Sequence, residues 1–215
     1  MMEESFVTSL ILGIKQTSWL EWVAVLTGLL YVIFAALKHQ ICWIFAIISS
    51  GLYIYICIDY QLYIESGLQL FYVAMAIAGW ISWNKTAPLK GDQFDVLDPI
   101  ETTNDIKTWS FSAHALNIGI SAVATLIIGL VFDQFTNQAN PYADAFTTVF
   151  SLAATFMVVQ KVLENWIYWI VIDFVGIYLY QQRGLTLTAV LFGLYTLLAM
   201  VGLWAWYKRY RNQRA

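Results

Sequence analysis

The sequence predicts an all-α integral membrane protein in which seven transmembrane helices form two three-helix bundles joined by one linker helix, a 3+1+3 arrangement. Of its 215 residues, 60% are hydrophobic and only 12% are charged, which is outside the usual range for a soluble domain. Seven apolar stretches are long enough to cross a hydrocarbon core of ~30 Å as helices. Open strands are excluded because lipid cannot satisfy their backbone groups. The chain also matches itself without a gap at an offset of 123 residues.

The predicted spans follow one another along the chain at 20–37, 41–58, 67–83, 112–132, 143–160, 165–181 and 185–207. The self-match pairs the first three spans with the last three. Over 38–83, 12 of 46 positions are identical to their partners, including Trp43 with Trp166 and Tyr72 with Tyr195. A shift of four spans preserves direction through the membrane, so the two copies are predicted to be parallel repeats. The fourth span has no counterpart and is expected to be an inverting linker.

These elements divide the chain into an N-terminal segment 1–18, a first three-helix bundle 19–83, a polar loop 84–110, a linker helix 111–132, a second three-helix bundle 143–207 and a tail 208–215. The apolar stretch from Phe6 to Ile14 is too short to span; it would either lie in the membrane interface or be a frayed start, and we favour the frayed start. Pro88, Gly91 and Pro99 indicate that the polar loop is a hinge-like connection rather than a domain.

Basic residues are concentrated on one predicted face of the bundle. With the N-terminus outside, nine Lys and Arg residues lie in inside segments, among them Lys38, Lys161 and Lys208, and only Lys15 and Arg183 lie outside. Because Lys and Arg are retained on the cytoplasmic side of membrane proteins, this distribution predicts an outside N-terminus and a cytoplasmic C-terminus.

The sixth span carries the most specific polar pattern. Asn165, Trp169, Asp173, Gly176 and Tyr180 lie within about an 80° arc of one helix face. Asp173 is the only charged residue predicted at mid-membrane depth, where burying a carboxylate costs roughly 2.5–3.5 kcal/mol. We therefore interpret this face as a substrate-binding surface with aromatic stacking groups. The alternative is a protonated Asp that holds a neighbouring helix through a hydrogen bond.

Several further side chains at a similar depth are candidates for substrate contact. Ser50 is the repeat partner of Asp173, and Trp43, Ser50 and Tyr53 share a face of the second span. The remaining candidates are Trp166, Gln69, Tyr72 and Tyr195. For the Ser, Gln and Tyr side chains, structural hydrogen bonding is an equally open interpretation.

Other side chains have simpler expected roles. The expected interfacial aromatic belt consists of Trp80, Trp83, Trp204 and Trp206. Gly79 is expected to permit close helix packing, and Glu164 to form a surface ion pair with Lys161. His39 and His114 are isolated near span ends, so we expect no metal site and no cofactor. One buried carboxylate is too little for a catalytic site, so the chain is not expected to be an enzyme.

Three segments resemble the PnuC family of vitamin transporters: QLYIESGLQLFYVAMAIAGWISW, KVLENWIYWIVID and LTAVLFGLYTLLAMVGLWAW. The resemblance covers nearly the whole chain, including its 3+1+3 organisation. It implies a fold related to the SWEET sugar transporters and a homotrimer in the bacterial inner membrane, with a separate pathway in each protomer. Members carry nicotinamide riboside, relatives called PnuT carry thiamine, and others carry riboflavin. Transport is implied to be facilitated diffusion, with a cytoplasmic kinase trapping the vitamin.

The predicted function is therefore uptake of a cationic aromatic B-vitamin, bound between the two repeats near mid-membrane. Asp173 would offset the positive ring in a low-dielectric site, and Trp and Tyr faces would attract it. The nicotinamide riboside carriers that the chain resembles have Asn in place of Asp173 and tend to have Asn at the equivalent place in span two, here Ser49 and Ser50. The form ENWIYWIVID is closer to the thiamine-type relatives. Thiamine is thus slightly favoured over nicotinamide riboside, and riboflavin is less favoured.

Two other classes remain as alternatives. Proton-coupled transport of a similar vitamin would use Asp173 as the proton carrier, although no His or Glu lies at a similar depth. A seven-helix receptor or retinal protein would require a Lys deep in a late span, whereas every Lys here is expected in a loop, tail or span end. The expected partners are the vitamin and the lipid bilayer, with no nucleic acid.

Overall fold

The structure is a computed structural model that describes residues 2–59, 63–84, 106–135 and 139–214. Within these ranges the backbone forms eight α-helices. Their bounds are α1 Met2–Gln16, α2 Trp19–Ala36, α3 Cys42–Asp59, α4 Tyr63–Asn84, α5 Phe111–Phe135, α6 Pro141–Val159, α7 Asn165–Gln182 and α8 Thr186–Asn212. The polar loop expected at 84–110 lies mostly outside the described residues.

Each of the seven predicted spans corresponds to one helix, from α2 to α8. Six helices of the described residues, all of these except α7, are long and apolar enough to cross a membrane. Helix α7 has 18 residues but carries four strongly polar side chains, Asn165, Asp173, Gln181 and Gln182. The all-helical membrane fold is confirmed, and a membrane-spanning role for α7 stays a prediction.

The N-terminal stretch differs from the expectation. Phe6 to Ile14, expected to be frayed, lies within α1, a regular helix of 15 residues. Gly13 brings α1 close to α8, since a Cβ atom at Gly13 would lie 3.0 Å from the Leu187 Cβ atom. This packing against another helix explains why α1 is a regular helix, because an isolated helix of this length is only marginally stable in water.

The helix bounds repeat at the offset found in the sequence. Shifting α3 by 123 residues reproduces the bounds of α7, and shifting α2 reproduces α6 to within one residue. The turn after each first helix contains a lysine in the left-handed region, Lys38 and Lys161, both with φ of 59°. Lys38 N–H donates to the Ala35 carbonyl at 2.9 Å, and Lys161 N–H donates to Val158 at 3.0 Å. These bonds satisfy carbonyls that the helix ends leave without intrahelical partners.

The described chain divides into two compact units. The first contains 1–18, 108–157 and 164–200, and thus α1, α5, most of α6, α7 and the first part of α8. The second contains 19–107, 158–163 and 201–215, and thus α2, α3, α4, the α6–α7 connection and the last part of α8.

Tryptophan side chains form the core of the second unit. Trp83 and Trp206 are fully buried, and their ring centroids lie 6.2 Å apart. The indole N–H of Trp83 donates to the Val159 carbonyl at 3.2 Å, and that of Trp206 donates to the Ala35 carbonyl at 3.0 Å. The expected interfacial belt is therefore wrong for these two residues, because they instead bind carbonyl groups in the last turns of α6 and α2.

Two glycines allow close helix packing. A Cβ atom at Gly79 would overlap the indole of Trp43, which confirms the packing role expected for this glycine between α3 and α4. In the first unit, a Cβ atom at Gly129 would overlap the ring of Tyr142, so α5 and α6 pack closely there.

Candidate substrate site

Helix α7 has one inward face and one outward face. Asn165, Asp173 and Gly176, from the predicted substrate face, are buried, and Trp169 and Tyr180 are half-buried. The opposite face is a stripe of exposed apolar side chains at helical spacing, made of Ile167, Val171, Phe174 and Tyr178. This stripe suits contact with lipid tails, and the polar face therefore points into the protein.

Asp173 is the central group of the inward face. Its exposed fraction is 4%, the lowest of any described acidic residue. Within the described part of the chain, no ion pair and no side-chain hydrogen bond involves its carboxyl group. A buried carboxyl group of this kind carries an unrecovered desolvation penalty, and a ligand with positive charge or hydrogen-bond donors would reduce it.

Aromatic rings of α8 pack against α7 one turn from Asp173, within the same unit. The Phe192 ring lies against Gly176, where a Cβ atom would overlap it. Tyr180 and Phe192 have ring centroids 5.0 Å apart, and Phe192 meets Tyr195 edge-on at 6.1 Å. The structure thus brings together two predicted residues, Tyr180 and Tyr195, through a third that sequence reasoning missed. The signal for Phe192 was present, because a glycine one turn from Asp173 leaves room for a large ring from a neighbouring helix.

The start of α7 supplies two further predicted residues. Asn165 is fully buried and Trp166 is 3% exposed. Trp169 lies one turn further along and shares the face of Asp173 by its spacing of four residues. Trp166 is seven residues before Asp173 and is rotated from it by only ~20° around the helix, so the two side chains lie on the same face.

The other predicted residues belong to the second unit. Trp43 is 1% exposed and packs against Tyr31 at 6.0 Å and Trp83 at 5.2 Å. Ser50 is buried, but it is Ser49 that donates a hydrogen bond, to the Ala24 carbonyl at 2.9 Å. The remaining predicted residues of this unit, all half-buried, are Tyr53, Gln69 and Tyr72. Substrate contact by these side chains stays a prediction.

Comparison with known proteins places the chain in a family. The model of the family described as nicotinamide mononucleotide transporter matches residues 18–208. The chain belongs to the PnuC family. It is therefore a member of a family of multi-pass membrane transporters.

Its relatives are named for different vitamins. The nicotinamide riboside transporter PnuC of Escherichia coli (strain K12) is 23% identical over 92% of this chain and 90% of its own length. PnuC of Neisseria mucosa is 29% identical over 76% of this chain and 60% of its own length. The riboflavin/roseoflavin transporter RibM of Streptomyces davaonensis is 24% identical over 69% of this chain and 66% of its own length.

A solved structure supports the fold of this PnuC-family chain. The crystal structure of the vitamin B3 transporter PnuC has a TM-score of 0.71 and covers 98% of this chain and 90% of its own, at 24% sequence identity. At this identity the likeness shows the fold.

A second polar cluster lies at the start of α5 and α7. His114 Nδ1 lies 3.1 Å from the Tyr168 hydroxyl, and Asn117 donates to the same hydroxyl at 3.4 Å. Glu164 accepts a hydrogen bond from the Trp109 N–H at 3.4 Å and lies 3.8 Å from His114 Nε2.

The expected ion pair between Glu164 and Lys161 is wrong, because Glu164 belongs to this cluster instead. Glu164 bonds within the first unit, whereas the Lys161 ammonium group is buried 5.4 Å from the centre of the Trp83 ring. Residues three apart in sequence can pair only if both extend to the same side. The backbone of Lys161 is in the left-handed region, and its side chain extends to the Trp83 ring instead. Within the described ranges, no group of three or more His, Cys, Asp or Glu side chains could hold a metal ion.

Proposed function

We propose that this PnuC-family transporter facilitates uptake of a cationic aromatic B-vitamin, with thiamine ahead of nicotinamide riboside. The observation that carries the proposal is Asp173, a buried carboxyl group on the inward face of α7 that has no bonded partner among the described residues. The relatives named as nicotinamide riboside and riboflavin transporters support a vitamin as the cargo.

The charge of Asp173 favours a ligand with a fixed positive ring. Thiamine and nicotinamide riboside both carry one, so each offsets the buried carboxylate in a low-dielectric site. The rings of Trp169, Tyr180 and Phe192 add faces for stacking and cation–π contact, which is worth ~2 kcal/mol when desolvated. Riboflavin is neutral and would not offset the cost of burying the Asp173 charge, so we expect it to be the least favoured of the three vitamins.

Hydrogen bonding adds selectivity between the two cationic vitamins. The Asp173 carboxylate can accept hydrogen bonds from the aminopyrimidine of thiamine or from the ribose diol of nicotinamide riboside. Thiamine is placed ahead because the nicotinamide riboside carriers that the chain resembles have Asn at this position. An acceptor-only carboxylate and an amide that also donates would select different ligand groups.

The proposed architecture is a 3+1+3 parallel repeat of the SWEET type, with α7 as a membrane span and the vitamin between the repeats. The coincident bounds of α3 and α7 support it. The nine basic residues on one predicted face support an outside N-terminus and a cytoplasmic C-terminus in the bacterial inner membrane. A homotrimer, and trapping of the vitamin by a cytoplasmic kinase, are further parts of the proposal that rest on the family resemblance.

Uptake into proteoliposomes tests the substrate. Vesicles that contain the protein are expected to accumulate labelled thiamine to equilibrium, nicotinamide riboside more slowly and riboflavin least, with empty vesicles as background. Under facilitated diffusion a protonophore leaves these rates unchanged. Loss of uptake on adding the protonophore would support proton coupling through Asp173 instead. Uptake of none of the three vitamins, while a known carrier works in parallel vesicles, would remove the proposal.

A further inference from the structure

The turn between α6 and α7 holds a buried ammonium group. Lys161 is 3% exposed, and within the described part of the chain its Nζ atom has no hydrogen-bond acceptor. The face of Trp83 lies 5.4 Å away and supplies a cation–π contact. A ring face attracts the charge but accepts none of the three N–H bonds of an ammonium group.

Two further lysines lie around Lys161. Lys38 occupies the equivalent turn between α2 and α3 and is 6% exposed. Lys107 is held beside Lys161 by the backbone, because Lys107 N–H donates to the Lys161 carbonyl at 2.9 Å and Leu163 N–H donates to the Lys107 carbonyl at 2.8 Å. Burial, and after it repulsion by these two ammonium groups, lowers the pKa of Lys161 to about 8.

Within the described part of the chain, the Lys161 ammonium group forms no ion pair: neither the pair of Asp144 with Arg183 nor that of His114 with Glu164 includes it. The end of α8 adds further positive charge nearby, since Gln213 accepts a hydrogen bond from the Ile106 N–H at 3.2 Å beside Lys107. The last turn of α8 contains Arg209 and Arg211.

We propose that Lys161, together with Lys38 and Lys107, forms a binding site for a phosphate-bearing anion at the α6–α7 connection. Three positive charges from three separate chain segments suit a multiply charged anion with several acceptor oxygens better than a single carboxylate. The Lys161 ammonium group is already positioned and desolvated, and its N–H groups have no acceptor among the described residues. This site is independent of the vitamin that the protein carries.

Thermal unfolding in an uncharged detergent tests the site without a transport assay. At constant ionic strength and near-neutral pH, replacing chloride by inorganic phosphate is expected to raise the midpoint of the wild type by roughly 2–4 °C. Lys161→Arg retains the charge and is expected to keep the shift, whereas Lys161→Gln is expected to lose it. Lys15→Gln, an exposed lysine of α1, is the matched control and is expected to respond as the wild type does.

The same assay separates two sources of the phosphate group. If a phospholipid headgroup is the occupant, phosphatidylglycerol added to the micelles stabilises the wild type but not Lys161→Gln, and phosphate adds little once the lipid is bound. If a soluble phosphate ester is the occupant, inorganic phosphate stabilises with or without the lipid. Either result supports the site.

Two results would overturn the proposal. In one, neither phosphate nor phosphatidylglycerol raises the midpoint of the wild type above the chloride control. In the other, either agent stabilises Lys161→Gln as much as the wild type. A lower midpoint for Lys161→Gln without phosphate, combined with an unresponsive wild type, would assign Lys161 a purely structural role against Trp83.

Discussion

Lys161 combines three unfavourable conditions at one residue. Its backbone has φ of 59°, its side chain is buried, and its charge faces the like charges of Lys38 and Lys107. A non-glycine residue in the left-handed region costs roughly 1–2 kcal/mol. The turn nevertheless satisfies helix-end carbonyls and fixes the position of the ammonium group, which is the property that an anion site requires.

The stability of the protein should depend on pH through Lys161. Because its pKa falls from 10.5 in a free side chain to about 8, the unfolded chain binds this proton more tightly than the folded chain does. The free energy of unfolding is therefore expected to rise as the pH increases from about 8 to 10.5. This pH dependence can be checked by measuring the thermal unfolding midpoints of the wild type and of Lys161→Gln across this pH range. Equal slopes for the two proteins would contradict the expectation.

Gly176 is a point of close packing between α7 and α8, one turn from Asp173. The change Gly176→Ala forces a Cβ atom into the Phe192 ring, and overpacking of this kind typically lowers the free energy of unfolding by about 1–3 kcal/mol. We expect both a lower unfolding midpoint and weaker vitamin binding, because the Phe192 ring must move.

Gly193→Ala on α8 is the matched control for this change. A Cβ atom at Gly193 meets no other atom within 4 Å, so this substitution is expected to be neutral or to stabilise by up to ~1 kcal/mol through helix propensity. If Gly176→Ala behaves like Gly193→Ala, the close packing against Phe192 does not exist in solution.

At the scale of helices, the ends of α2 and α6 are held by indole groups from α8 and α4. Trp206 at the end of α8 binds the carbonyl of Ala35 in α2, and its repeat partner Trp83 at the end of α4 binds the carbonyl of Val159 in α6. The arrangement is reciprocal, since the last helix of each repeat satisfies the first helix of the other. This pair of equivalent hydrogen bonds connects the two repeats.

Removing one indole N–H should destabilise the protein. Trp206→Phe and Trp83→Phe each keep a buried ring and remove one buried indole hydrogen bond to a carbonyl group, which is expected to lower the free energy of unfolding by about 0.5–1.5 kcal/mol. The rings lie 6.2 Å apart, so the double variant is expected to deviate from additivity. Trp204→Phe, at a residue that is 65% exposed on the same helix, is expected to change stability by less than ~0.5 kcal/mol. Denaturant unfolding measures all four variants, and equal stability of Trp204→Phe and Trp206→Phe would refute this role.

At the scale of the whole molecule, the helices follow from the sequence because lipid thickness and backbone satisfaction leave few alternatives. The predicted span 165–181 and the helix Asn165–Gln182 differ by one residue at most. The burial of Asp173 also follows, since an exposed apolar stripe on α7 leaves only one face for polar groups. Phe192 and the buried positions of Trp83 and Trp206 did not follow, because they depend on which helix supplies the neighbouring surface. Local periodicity carries no information about that choice.

The central claim is that the Asp173 carboxylate recognises the positive charge of the vitamin, and calorimetric titration of the purified protein tests it most directly. Wild type, Asp173→Asn and the control Asp59→Asn, which removes an exposed carboxylate at the end of α3, are titrated with thiamine, nicotinamide riboside and riboflavin. Loss of a buried charge partner is expected to weaken the cationic vitamins by roughly 10-fold or more in Asp173→Asn, since ~1.4 kcal/mol corresponds to tenfold. Binding of riboflavin and the behaviour of Asp59→Asn are expected to stay unchanged. Equal affinity of wild type and Asp173→Asn for both cationic vitamins would contradict the claim.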